Sequence, residues 1–282
     1  MPKEKEWTYV IRPKRSWFEI NLREVWQYRD LLRMYVRRDF IVSYKQTVLG
    51  PLWYFIQPIF SIMMFTFVFS GLAGLSTAGV PAPLFYMAGV MLWSFFSDLF
   101  GGCSNIFTAN ANVFGKVYFP RLIVPLANGT MSLFKFSIHL VLFVILYLWY
   151  LGTGSSLSIN WTLILFPVLI LMLGLFAMTG GLIISSLTYK YHDLNVVITF
   201  MIGLFMYATP VVYPVESLPA KYKFWIEMNP LTPIFETFKY GTMGCGAPDW
   251  GGLVYSLCFL IVLSVISVVW FSRVERYFTD SV

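Results

Sequence analysis

The 282-residue chain is 58% hydrophobic and only 12% charged, with a mean hydropathy of +0.69. That balance excludes an ordinary soluble domain and predicts an all-α integral membrane protein. The net charge of +6 is no nucleic-acid footprint, because 11 of the 20 Lys and Arg residues precede residue 46.

The amino-terminal segment, 1–49, carries an amphipathic helix pattern from Arg23. At about 100° per residue, Val25, Tyr28, Leu31, Leu32, Tyr35 and Val36 share one arc, and Arg23, Arg29, Asp30, Arg33, Arg37 and Arg38 the other. An apolar face beside a basic one suits a headgroup boundary, so Arg29, Arg33, Arg37 and Arg38 mark an interface helix. Asp39 falls inside the apolar arc, which predicts a break or rotation of the helix there, before Tyr44. Gly50 and Pro51 then read as a chain reversal and a helix start.

Six spans are predicted, at 50–72, 84–106, 124–150, 161–187, 194–213 and 250–272, each long enough for a hydrocarbon core of about 30 Å. They form one transmembrane domain, 50–272, followed by a short tail, 273–282. The loops at 73–83 and 151–160 lack Lys and Arg, whereas the amino terminus, the 107–123 loop, the 188–193 loop and the tail carry them. By the positive-inside rule both termini are cytoplasmic. The first apolar segment is span-length, the pattern of a retained helix rather than a cleaved leader. Neither internal repeats nor inverted halves are evident.

Asp98, in the second span, is an ionisable group at membrane depth and therefore a functional candidate, with a water-reachable or capping carboxylate as the plain alternative. The segment Asn110–Pro125 is short, polar and basic and closed by Pro120 and Pro125, with an ordinary cytoplasmic loop as the plain alternative. In the third span Lys135 and His139 lie one turn apart on one face. The lysine can snorkel and the histidine can be a packed core residue. Ala177, Gly181 and Ser185 make a small-residue stripe in the fourth span, built for close helix approach. After "TPVVYP" at Thr209–Pro214, the segment to Asp249 is too polar and proline-broken for a span. It predicts short re-entrant helices over about 214–246, the alternative being an external loop.

Aromatic residues, 19% of the chain, exceed what interface belts need. Tyr54, Ser61, Phe65 and Phe69 share one face of the first span, and Phe200 and Tyr207 one face of the fifth. Together with Asp98 they are the candidate lining of a substrate channel, where stacking faces supply many interchangeable contacts. Packing between helices or against lipid is the alternative for each ring.

The stretch "RRDFIVSYKQTVLGPLWYFIQP", Arg37–Pro58, resembles the amino-terminal signature of ABC-2 type permeases that export O-antigen, teichoic acid and related polysaccharides. "NANVFGKVYFPRLIVP", Asn110–Pro125, resembles their first cytoplasmic coupling loop, and "YKYHDLN", Tyr189–Asn195, their second short turn. The resemblance implies ATPase coupling by Asn112, Val113, Phe114, Lys116, Tyr118, Phe119 and Arg121, with Tyr191, His192 and Asp193 in the second turn. "MNPLTPIFETFKYG", Met228–Gly241, resembles the NP-containing segment that narrows the outer exit, implying Tyr213, Pro214, Asn229 and Pro230 as an outer gate. Three positions depart from the pattern: His192-Asp193 stands where Arg-Asp is usual, Lys239 where Arg is common, and Lys135 where relatives place an acid.

No G-x-x-x-x-G-K-[ST] phosphate loop occurs, so ATP and Mg belong to a separate ATPase partner, expected in two copies. No nucleophile–base set or zinc spacing is visible, and Cys103, Cys245 and Cys258 describe neither a disulfide framework nor a metal site. The expected protein is not an enzyme and carries no cofactor or metal. It is a homodimerising permease of a bacterial cytoplasmic (inner) membrane, in contact with lipid, that exports a lipid-linked polysaccharide. The alternatives are the same architecture moving a drug, haem or lipid, and a membrane-embedded transferase.

Overall fold

The structure is a computed structural model describing residues 22–45, 47–114, 117, 119–155, 157–188 and 193–280. Its elements are all helical among those residues: α1 (Leu22–Gln27), α2 (Arg29–Tyr44), α3 (Trp53–Phe65), α4 (Ala82–Ser104), α5 (Ile106–Ala109), α6 (Ala111–Phe114), α7 (Ile123–Gly152), α8 (Phe166–Thr188), α9 (Leu194–Phe205), α10 (Ala220–Glu227), α11 (Thr232–Met243) and α12 (Trp250–Asp280). A 3-10 turn at Gly50–Leu52 leads into α3, a π-helical stretch at Thr66–Leu72 continues it, and a 3-10 turn at Trp161–Leu165 leads into α8. Among the described residues, five helical stretches are long and apolar enough to cross a membrane: Gly50–Leu72, Ala82–Ser104, Ile123–Gly152, Trp161–Thr188 and Trp250–Phe271.

The expected span at 194–213 differs. Its helix stops at Phe205, and its 12 residues rise only about 18 Å, short of a hydrocarbon core of about 30 Å. Turns carry the chain on through Val211. Thr209, Pro210, Val211 and Val212 are buried, so this irregular backbone runs inside protein, where other groups can satisfy its carbonyls.

The α4 helix is the centre of the bundle, with 72% of its apolar window buried, against 11% for the first span and 17% for the last. Small residues let its neighbours close in. A Cβ on Gly181 would lie 2.8 Å from the Phe100 carbonyl oxygen and 2.5 Å from the Cys103 Cβ, so the Ala177–Gly181–Ser185 stripe is what seats α8 on α4. A Cβ on Gly89 would lie 2.3 Å from the Val211 oxygen, which puts the irregular segment directly against α4.

Helix α2 does not break at Asp39. It runs unbroken to Tyr44, and the interruption falls at Tyr28, which sits at φ −93°, ψ 21° between α1 and α2. Asp39 is tolerated because Arg38 holds its carboxylate, with Nη2 at 2.8 Å and Nε at 2.9 Å. The apolar arc is covered by the chain itself: Tyr35 is buried, Val25, Tyr28, Leu31, Leu32 and Val36 pack on the core, and Phe40 meets Phe134 of α7 edge-on at 5.2 Å. Trp26, Met34 and Val42 are the large apolar side chains that α1 and α2 leave outward.

Candidate functional site

The predicted coupling loop has an inner and an outer side. Phe114, Phe119 and Arg121 are buried. Phe114 lies 6.2 Å from Phe107 and 5.6 Å from Phe119, Phe119 lies 6.1 Å from Tyr35 of α2, and the Arg121 guanidinium stands 5.5 Å from the Phe114 ring centroid. These rings tie the loop to α2 and to α5. Val113 and Val117 face outward, as does Asp193 at the start of α9. Asn112 lies in α6, and Lys116, Tyr118, Tyr191 and His192 lie outside the described residues. Of the predicted basic face, Arg29, Arg33, Arg37 and Arg38 are all exposed; Arg33 pairs with Asp30 at 3.3 Å and Arg38 stacks over Tyr35 at 4.4 Å. Burial pushes the Tyr35 phenol above its ordinary value, although Arg38 pulls the other way.

At the predicted outer gate, two short helices, α10 and α11, follow the irregular segment. Asn229 is the staple: its Nδ2 donates to the Ala208 carbonyl and to Thr209 Oγ1, each at 3.0 Å, while its Oδ1 accepts the Leu231 N–H at 3.0 Å. The carbonyl of Pro230 accepts from Ser256 on α12 at 2.7 Å, and that of Met228 from Tyr255 at 3.0 Å. Tyr213 donates to the Tyr207 carbonyl at 2.7 Å; burial, then the Glu236 charge, raises its hydroxyl to about 12. Pro214 is buried beside it. The loop before α8 closes the other end of α11, with Asn160 donating through its N–H to Gly241 and through its Nδ2 to the Tyr240 carbonyl.

Two ionisable residues lie within this seam. Lys239 is 0% exposed; its Nζ donates to the Pro210 carbonyl and stands 4.0 Å over the Phe85 ring. Burial lowers it to about 8 against the upward pull of Glu236. Glu236 is itself raised, foremost by burial, and its Oε1 has no hydrogen-bond partner. Neither residue was singled out for this role from the sequence. The available sign was a lysine in a short helix, 29 residues after the irregular run whose Pro210 carbonyl it meets.

The remaining predicted residues divide. Tyr54, Ser61 and Asp98 come together on one cavity of about 530 Å³ between α3, α4 and α7, joined by Gln57, Lys135 and His139. Lys135 Nζ lies 3.1 Å from Asp98 Oδ2 and 5.9 Å from the Tyr54 ring centroid. The pair escapes a reading of single helices because its partners belong to different spans. Equal depth was the available sign: Asp98 from Ala82 and Lys135 from Gly152 are spaced alike. Phe65 and Phe69 instead pack on Tyr86 of α4, at 6.4 and 6.2 Å. Phe200 and Tyr207, 62% and 51% exposed, face away from the rest of the chain.

A family profile described as ABC-2 type transporter matches residues 30–243, from the interface helix to the end of α11. An O-antigen export system permease protein RfbA of Myxococcus xanthus is 26% identical over 220 residues, covering 77% of this chain and 82% of its own length. A protein of the same name from Klebsiella pneumoniae is 26% identical over 255 residues, covering 89% and 94%.

Proposed function

Since the chain belongs to the ABC-2 type transporter family, we propose that it is the permease subunit of an ATP-driven exporter that carries a lipid-linked polysaccharide of O-antigen or teichoic acid type across the bacterial cytoplasmic membrane. The similarity of nearly its whole length to O-antigen export permeases is the observation that carries this reading. ATP and Mg act in a separate ATPase, two copies of which serve two copies of this chain. Both termini lie on the cytoplasmic side in this reading, which the Lys and Arg distribution supports.

The geometry supports a division of labour. The outward Val113 and Val117 and the exposed start of α9 at Asp193 supply a contact for the ATPase. The buried cluster of Phe107, Phe114 and Phe119 behind them joins that contact rigidly to α2, so a push on the loop moves helices rather than bending a side chain. The exposed aromatics of α9 line the passage between the two permease copies. At its outer end the irregular segment held by Asn229, with Tyr213, Pro214 and Pro230, forms the gate.

Complementation tests the reading. Expressed with its ATPase in a bacterium that lacks its own exporter but still makes the cognate lipid-linked glycan, the chain restores surface polysaccharide. Continued intracellular accumulation, with the protein correctly inserted, refutes it. Cysteines at Thr77 and Ser155 should react from outside and one at Lys5 only from the cytoplasm; the reverse pattern removes the topology.

A further inference from the structure

We infer that the cavity between α3, α4 and α7 is a binding subsite for an uncharged, hydroxyl-rich ring, a single sugar residue of the exported glycan, and that it discriminates against the phosphate of the lipid carrier; this rests on the export function proposed above. At about 530 Å³ the cavity has the size of a small-molecule site. Its charges cancel locally, because Lys135 and Asp98 face each other at 3.1 Å. A phosphate reaching Lys135 meets the Asp98 carboxylate at nearly the same distance, so attraction and repulsion offset each other. A sugar hydroxyl both donates and accepts, and can donate to Asp98 while accepting from Lys135.

Other groups on the same lining suit this chemistry. Gln57 and Ser61, one turn apart on α3, add an amide and a hydroxyl, and the Tyr54 ring offers a face for stacking. A purely structural latch between α4 and α7 needs only the ion pair. It does not need the polar-lined space beside it, and with side chains 30% and 40% exposed the pair can be reached from that space.

The test uses the complete permease–ATPase complex in lipid nanodiscs, after the surface-polysaccharide assay has established export. Cys103 and Cys245 are buried, so Cys258→Ser leaves a Ser61→Cys thiol as the reporter on this chain. Maleimide labelling of that thiol is followed with two probes: delipidated oligosaccharides cut from the host's own polymer, and inorganic pyrophosphate. The oligosaccharide should slow labelling about tenfold at ten times its Kd, and pyrophosphate should leave it unchanged. Gln57→Leu changes an exposed side chain on the lining, so the protein stays intact while protection weakens by about threefold to tenfold, the value of one hydrogen bond. Protection by pyrophosphate alone, undiminished protection in Gln57→Leu, or no protection by oligosaccharide in a complex that exports glycan each overturn the subsite and leave the export function standing. A Ser61→Cys thiol that is unreactive without any probe, and crosslinks to a second permease copy, overturns it as well. Failure of the complex to export any glycan refutes the function itself.

Discussion

Replacing Asn229 with Ala should cost the outer seam about 3 kcal/mol. The side chain makes three hydrogen bonds, two from Nδ2 to Ala208 and Thr209 and one from the Leu231 N–H to Oδ1, in a site where the residue is 8% exposed. Each neutral bond contributes about 1 kcal/mol, and the Leu231 N–H and Ala208 carbonyl left behind have little water to turn to. Asn229→Asp separates the two halves of the staple. It keeps an acceptor for Leu231 but sets a carboxylate against the Ala208 carbonyl, so it should destabilise at least as much as Asn229→Ala at neutral pH and recover in part on acidification, when a protonated carboxyl can donate. Thermal unfolding of the purified chain in detergent reads the stability, and surface polysaccharide reads export. Both should fall together. A melting curve for Asn229→Ala indistinguishable from that of the unmodified protein would mean that the crossover is held by something other than this residue.

Other expectations follow from the same contacts. Gly89→Ala forces a Cβ within 2.3 Å of the Val211 oxygen, against backbone on both sides, and should yield little folded protein in size-exclusion chromatography. Phe114→Ala should lower stability by about 3–5 kcal/mol, whereas Val117→Asp, at an exposed position, should leave the melting curve intact and weaken co-purification with the ATPase. Lys239, in α11 rather than in a span, is lowered to about 8 from 10.5 by burial, so between those values the unfolded chain binds more protons than the folded one. Stability should therefore rise with pH across that window by up to about 1.4 kcal/mol per unit and be flat below it. In Lys239→Met that rise should vanish; an identical pH profile in the two proteins excludes Lys239 as its source.

The spans were legible to within a few residues because a hydrocarbon environment leaves little choice. Backbone groups must bond within their own segment, so a long uncharged apolar run becomes a helix of the same length, as at Gly50–Leu72 and Trp161–Thr188. The small-residue stripe of α8 was readable for a related reason, since only residues without bulk permit the 2.8 Å approach that a Cβ at Gly181 would make to Phe100. The same logic misjudged two places where a neighbour supplies what the local segment lacks. Phe205 ends a helix that hydrophobicity alone would continue, because Asn229 and Lys239 satisfy the carbonyls of Ala208 and Pro210 from outside. Asp39 stays in a continuous helix because Arg38 turns its carboxylate aside.

The candidate site shows the same boundary. Periodicity put Tyr54, Ser61, Phe65 and Phe69 on one face of a straight helix, but the stretch carries Pro58 within it and turns π-helical from Thr66. Its lower half then opens on the Asp98 cavity while its upper half packs on Tyr86. For the coupling loop the residue types were informative and their directions were not: Phe114 and Val113 are adjacent in the chain, yet one is buried against Phe107 and Phe119 and the other faces out. By itself the sequence determined that this chain is a helical membrane protein, where its five span-length helices run, and which family it resembles, since those depend on composition, run length and local motifs. Only the tertiary structure decided that Lys135 meets Asp98, that Lys239 closes on Pro210, and which rings turn inward, because each depends on which helices become neighbours, and that is set by packing between segments far apart in the chain.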